Sequence, residues 1–197
     1  MTSRKANARI HPLIVDRWSP RAFDGSDIPG ADLDVIFEAA GWAPSAFNYQ
    51  PWRFLYARRG DANWEKFLSI LISFNASWAK DASVLVFIVS EVMMGEGEKA
   101  KPSHSHSFDA GAAWALMALQ ATHMGYHAHG MTGIDVEQAY AELEVPEGFR
   151  VEAAVAIGRR GDPAILPEGL REREVPSARK PLKEIAFSGP FVGTSQG

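Results

Sequence analysis

Leu33, Ile36, Phe37 and Ala40 recur at three- and four-residue spacing, which predicts an amphipathic helix after the punctuation Ser26-Asp27-Ile28-Pro29-Gly30. Pro44 holds the residue before it out of the helical region and so ends that helix near Gly41-Trp42-Ala43. Phe54-Leu55-Tyr56 reads as a short strand. Trp64, Phe67, Leu68, Leu71 and Ile72 form a second helical stripe, with Asp61 or Asn63 as its cap. The run from Val84 to Val89 is apolar and rich in β-branched residues, as in a strand covered on both faces. From Phe108 to Met124 the chain is apolar nearly all round, with small residues from Ala110 to Ala113, which predicts a buried central helix stopped by Gly125. Asp135 and Gln138 have capping-box spacing and open a helix through Val136, Ala139, Tyr140 and Leu143. Val151, Ala153, Val155 and Ile157 alternate as a last strand.

Between these elements, residues 91–107 combine Gly, Pro, Lys, Glu and Ser with little apolar content, and are expected to form a mobile loop or lid inserted into the domain. Beyond Ile157 only Leu182, Ile185 and Phe187 break a Pro- and charge-rich stretch, and a tail is expected from residue 188. There is no internal repeat. Alternating helices and strands within 197 residues fit one α/β-type domain spanning 1–197.

Composition narrows the chemistry. With no cysteine there is no disulfide, thiolate metal site or cysteine nucleophile, so redox work requires a borrowed group. A formal charge of −4 argues against a nucleic-acid partner, whose phosphates call for a basic face. The longest apolar runs fall far short of the ~18 residues of a membrane span, and residues 1–12 lack an apolar signal core. A cytoplasmic protein without a membrane partner is the expectation.

Three islands carry polar residues that core packing does not require. Arg17-Trp18-Ser19-Pro20-Arg21 sets two cations around a hydroxyl, which on local spacing alone reads first as a solvated turn with surface charges and otherwise as a phosphate clamp. Pro44-Ser45-Ala46-Phe47-Asn48-Tyr49-Gln50-Pro51-Trp52 mixes amides, a hydroxyl and aromatics, as would a loop against a planar heterocycle or a turn bonded to its own backbone. His127-Ala128-His129-Gly130-Met131-Thr132-Gly133 reads as a glycine-bearing connector that either links two elements or lets backbone N–H groups approach a ligand. The pairs His104/His106 and His127/His129 lack the companions of a metal site, and no Gly-x-Ser-x-Gly elbow marks a hydrolase. No metal is expected.

Together these islands resemble the FMN-dependent nitroreductases, whose members carry Arg-x-Ser-x-Arg/Lys-x-Phe and then Pro-Ser-x-x-Asn-x-Gln-Pro-Trp, matched here from Arg17 to Phe23 and from Pro44 to Trp52. Phe74-Asn75, Gly130-Met131-Thr132-Gly133-Ile134-Asp135 and Ser177-Ala178-Arg179-Lys180-Pro181-Leu182 look like further family segments, so the resemblance runs from about Arg17 to Leu182. It implies an α+β fold with a central, mainly antiparallel sheet flanked by helices, in an intertwined homodimer with FMN at the interface. The helix from Phe108 would then be the interface element, and the tail beyond Phe187 would reach the other subunit.

By the same resemblance, Arg17, Ser19 and Arg179 would hold the FMN phosphate beside Trp18, and Arg21 would lie near the pyrimidine edge of the ring. Pro44, Ser45 and Asn48 would come from the other subunit, Asn75 would add an amide contact, and Met131, Thr132 and Gly133 would cover the ring with a backbone N–H toward N5. The reaction implied is ping-pong: NADH or NADPH gives hydride to the flavin, then a nitroaromatic, quinone or similar small acceptor takes it, with no side-chain nucleophile. Alternatives are a specialised flavoenzyme of the same fold, such as a reductive dehalogenase or flavin-fragmenting enzyme, and a flavin-binding protein without turnover. Two departures stand out. Trp78 and Ser177 occupy positions where relatives carry cations, and Lys180 or Arg173 are the residues that could compensate.

Overall fold

The computed structural model describes residues 6–191 of the chain. Residues 1–5 and the end of the expected tail, 192–197, lie outside the described residues. In chain order, α1 (Pro12–Asp16) and α2 (Gly30–Gly41) precede β1 (Trp52–Arg58), and α3 (Trp64–Ser69) and α4 (Ser73–Ala79) lead into β2 (Val84–Glu91). Two short strands, β3 (Met93–Met94) and β4 (Lys101–Pro102), are followed by α5 (His106–His123), β5 (His127–Met131), α6 (Val136–Glu142), β6 (Phe149–Gly158) and α7 (Glu168–Arg171).

Four strands form one sheet in the order β1-β2-β6-β5, with every pairing antiparallel. This is the mixed fold with an antiparallel sheet and flanking helices that the resemblance implies. Side chains of a strand alternate between faces, and β2 shows why it had to be apolar throughout. Leu85, Phe87 and Val89 pack on one side with Phe67 of α3 and Trp78 of α4. Val84, Val86 and Ile88 pack on the other with Leu33 and Ile36 of α2 and Ala113 and Met117 of α5. Two cores thus sandwich the sheet, and each large side chain taken fully from water contributes about 1.5–3 kcal/mol. Alanines at 110, 113, 118 and 121 let α5 lie close to the strands. No helix among the described residues is long and apolar enough to cross a membrane.

Gly125 ends α5 with a φ of +80°, a conformation only glycine adopts without strain, and the Asp135 carboxylate accepts from the Gln138 N–H at 2.9 Å to start α6. Two expectations are corrected. The helix expected over the apolar stripe from Trp64 to Ile72 stops at Ser69, and Leu71 and Ile72 lie in a break before α4, because the backbone there pairs elsewhere: Ile72 N–H donates to the Gly133 carbonyl at 3.2 Å, and the Ile70 carbonyl accepts from Asp135 N–H at 2.8 Å. The connector at 127–131 is an edge strand, paired residue for residue with Ala154–Gly158. Within the 91–107 segment, β3 and β4 make a small antiparallel ribbon, and the Ser103 N–H donates to the Val92 carbonyl at 2.8 Å.

Candidate functional site

The first sequence island folds as an extended segment between α1 and the sheet. Trp18, Ala22 and Phe23 are buried, so the intervening Arg17, Ser19 and Arg21 are turned to the other side. A buried carboxylate fixes this arrangement. Glu174 accepts the Arg21 N–H with both oxygens, at 2.8 and 3.0 Å, and the Ala22 N–H at 2.9 Å. Those bonds pin the segment after α7 beside the island.

The result is a cleft of about 320 Å³ lined by Arg17, Trp18, Ser19, Arg21, His129, Arg173, Val175, Ser177 and Arg179. Four guanidinium groups face it and no carboxylate does, in a chain whose formal charge is −4. Arg17 Nη1 donates to Ser19 Oγ at 3.4 Å, while Arg21 Nε is buried without a hydrogen-bond partner. An orphaned buried donor among cations is suited to a bound anion, above all to phosphate, which guanidinium groups engage in a bidentate fork. FMN carries such a group, so these residues fit it. Of the two candidates for compensating Trp78 and Ser177, Arg173 lines the cleft and Lys180 does not.

His129 forms one wall, and the buried Trp78 ring packs against it. Their rings lie 4.6 Å apart, and the Arg21 guanidinium sits 6.0 Å from the Trp78 ring. Burial pushes His129 down to about 4, with the nearby Arg21 and Arg17 acting in the same direction against the raising effect of its bond to Pro20. Nδ1 lies 2.8 Å from the Pro20 carbonyl, which can only accept, so the neutral ring carries its proton on Nδ1 and presents Nε2 as an acceptor. His127 is likewise lowered, first by burial and then by Arg160.

Arg17 and Ser19 also line a second, larger cavity of about 670 Å³, within the range of small-molecule sites. Its walls include Met131 and Thr132 at the end of β5, Trp114 from α5, and Glu152 from β6. The Trp114 ring comes close to β5: a Cβ at Gly130 would lie 3.1 Å from it. Gly133 lies behind the same turn, where Asn75 Nδ2 donates to its carbonyl at 2.9 Å.

Arg17, Trp18, Ser19, Arg21 and Arg179 are therefore gathered in the cleft, and Arg17, Ser19, Met131 and Thr132 in the cavity. Asn75 and Gly133 support the turn from outside both. Pro44, Ser45 and Asn48 line neither cavity. Their loop lies against the start of α5, where Ala46 N–H donates to Asp109 Oδ2 at 3.1 Å. Phe47, Asn48 and Gln50 have φ of 53°, 55° and 53°, left-handed values that cost a non-glycine residue free energy and cluster at functional sites. Trp114, Ser107 and Glu152 are lining residues that the sequence did not single out. The one available signal was Glu152 itself, an acidic residue inside a largely apolar strand. Among the described residues no group of three or more His, Asp or Glu is placed to hold a metal.

The chain matches the model of the nitroreductase family over residues 14–159. An uncharacterised 15.4 kDa protein of Mycolicibacterium smegmatis is 37% identical to it over 145 residues, covering 70% of this chain and 95% of that one. A Thermus thermophilus protein named NADH dehydrogenase is 29% identical over 87% of this chain and 91% of its own. Among solved structures, an oxidoreductase containing FMN is 51% identical, with a TM-score of 0.95 over 98% of both chains. A Desulfovibrio desulfuricans protein solved in complex with FMN shares the fold at 24% identity, with a TM-score of 0.72 over 95% of this chain and all of the other.

Proposed function

Because the chain belongs to the nitroreductase family, we propose that it is an FMN-dependent oxidoreductase taking reducing equivalents from NADH or NADPH and passing them to a quinone, nitroaromatic or similar small acceptor. The observation that carries this is the four-arginine cleft sharing Arg17 and Ser19 with the 670 Å³ cavity lined by Met131 and Thr132. An anionic tail in the cleft and a planar head in the cavity match the two halves of FMN. When bound, FMN supplies reversible hydride chemistry at its ring, which no side chain of this chain provides.

The protein's part is binding, orientation and electrostatics. Arg17, Arg21, Arg173 and Arg179 neutralise the phosphate, and Ser19 adds a directional bond. Trp18 backs the island from the core, and the Arg160 guanidinium lies 5.3 Å from its ring. Met131, Thr132 and Gly133, held by Asn75, form the backbone turn against the ring. The cavity is then shared in turn by nicotinamide and acceptor, which is a ping-pong order.

The active unit in this proposal is a homodimer. Trp42, Phe47 and Phe108 are 78, 87 and 81% exposed, more apolar surface around the 44–48 loop and α5 than a monomer normally leaves in water. A second copy would cover it and bring Pro44, Ser45 and Asn48 to a neighbouring site. Light scattering at micromolar concentration is expected to give a dimer, and a strict monomer would remove this part.

The purified protein is expected to be yellow, or to become so on adding FMN, and to bleach anaerobically on adding NADH or NADPH. Arg173→Ala and Arg179→Ala are each expected to weaken FMN binding about tenfold or more, the loss of one charge-assisted contact. A protein that takes up no FMN overturns the reading.

A further inference from the structure

One end of the larger cavity is polar in a way that FMN binding does not require. Of the residues lining it, only Arg17 and Glu152 are ionisable, and a guanidinium does not release its proton in a protein. Glu152 reaches the cavity through a defect in the sheet. Ile88 pairs with Ala153 and Val89 with Val151, so Glu152 is an extra residue on β6. Glu152 and Ala153 both line the cavity although consecutive residues of a regular strand face opposite ways. A bulge that re-aims a side chain in this manner is characteristic of functional sites.

The carboxylate is held by a network from three elements. Oε1 accepts from Ser90 Oγ of β2 at 2.6 Å and from Ser107 Oγ of α5 at 2.7 Å. His106 Nδ1 lies 2.7 Å from Ser90 Oγ, 3.4 Å from Ser107 Oγ and 3.4 Å from Glu152 Oε1. With its own proton committed to Glu152, the Ser90 hydroxyl can only accept from His106, so Nδ1 carries a proton. From β6, Arg150 Nε faces Oε2 at 3.6 Å. Ser107 lines the cavity beside Glu152.

We propose that the His106–Glu152 pair, with Ser107 as its outlet, is the proton source for the acceptor reduced in this cavity. This rests on the oxidoreductase reading. Reduction of a quinone to a hydroquinone consumes one hydride, supplied by reduced nicotinamide through the cofactor, and two protons are found on the product oxygens only when a proton joins the hydride equivalent. In the final transfer the Ser107 hydroxyl turns from Glu152 Oε1 toward the acceptor, and an O–H bond forms at the acceptor oxygen as the Ser107 O–H bond breaks. Ser107 recovers a proton from His106 Nδ1, and the imidazolium becomes a neutral imidazole that water reprotonates.

The test compares the FMN-loaded wild type with Glu152→Gln and Ser107→Ala by anaerobic stopped flow, after reduction by NADH or NADPH. Reduced protein is mixed with a benzoquinone, which takes up protons, or with ferricyanide, which takes electrons alone. Both variants are expected to lower the quinone-to-ferricyanide rate ratio at least tenfold. In FMN-free protein, ¹⁵N NMR is expected to show a proton on His106 Nδ1, and an Nδ1 resonance that shifts in Glu152→Gln. An unchanged ratio, or an equal fall with both oxidants, makes the network structural and overturns the proposal, as does an Nδ1 resonance unmoved in Glu152→Gln. If Glu152→Gln does not fold, Ser107→Ala decides the ratio. A wild type that binds no FMN, or is not reduced by either nicotinamide, instead overturns the parent reading and takes this inference with it.

Discussion

Asn75 and Gly133 are fitted to each other: the Asn75 amide donates to the Gly133 carbonyl at 2.9 Å, and a Cβ on Gly133 would come within 2.7 Å of that same nitrogen and 2.6 Å of Ile72 Cδ1. The turn that follows Met131 and Thr132 is thus set by α4 behind it. Gly133→Ala is expected to destabilise the protein by about 1–3 kcal/mol, since the Ile72 and Asn75 side chains have to turn aside to admit a methyl group and the Asn75 bond is disturbed. Asn75→Ala should cost about 1 kcal/mol, because the Gly133 carbonyl keeps its bond from Ile72. Urea unfolding measures both. A Gly133→Ala protein of unchanged stability would show that the turn is not pressed against α4.

Glu174 is the one carboxylate that ties the arginine island to the segment carrying Arg173 and Arg179. It is 4% exposed and accepts from both Arg21 and Ala22. Removing it in Glu174→Ala leaves two N–H groups unpaired, at about 1–3 kcal/mol for each buried donor. The expected outcome is a loss of about 2–5 kcal/mol together with weaker FMN binding, and Glu174→Gln, which keeps one acceptor oxygen, should fall between. Equal FMN affinity in all three proteins would separate the clamp from the cleft.

His129 gives stability a pH dependence of definite sign. Its folded value of about 4 lies below the ordinary 6.5, so the unfolded chain binds the proton more readily. Stability from this group is complete above pH 6.5, falls as pH drops through the interval, and stops changing below about 4. The gap corresponds to roughly 3 kcal/mol. Urea midpoints at pH 7 and pH 4.5 should differ more in the wild type than in His129→Gln. Because the cleft cations also depress this value, a bound phosphate group should raise it, which the NMR titration of His129 with and without FMN would detect.

What could be read in advance depended on how local its cause was. β2 and α5 were legible because an apolar run and a small-residue run are intrinsic to their own residues. Arg17, Ser19 and Arg21 were legible because their spacing is carried by one extended segment. The break between α3 and α4 was not, since it exists only because residues 133–135 claim the backbone of 70–72. His127-Ala128-His129-Gly130-Met131 has no β-branched residue, and is a strand because β6 offers it a partner. The direction of Glu152 hangs on the register between β2 and β6, which no spacing within β6 encodes.

Trp78 supplies the last prediction, because the family resemblance implies a cation at its position. Restoring a lysine there looks like a way to add a phosphate contact, but the structure argues the opposite. The Trp78 side chain is 1% exposed, stacks on Phe23 at 6.3 Å and on His129 at 4.6 Å, and has the Arg21 guanidinium 6.0 Å from its ring. Its ring is core, behind His129, which lines the cleft. Trp78→Lys would remove that packing, worth about 3–5 kcal/mol for a large aromatic, and set an ammonium beside Arg21 in its place. The variant should therefore unfold at markedly lower urea and bind FMN no more tightly, whereas Trp78→Phe should recover most of the stability. A Trp78→Lys protein as stable as the wild type with tighter FMN binding would mean that the ammonium reaches the cleft and that Arg173 is not its replacement.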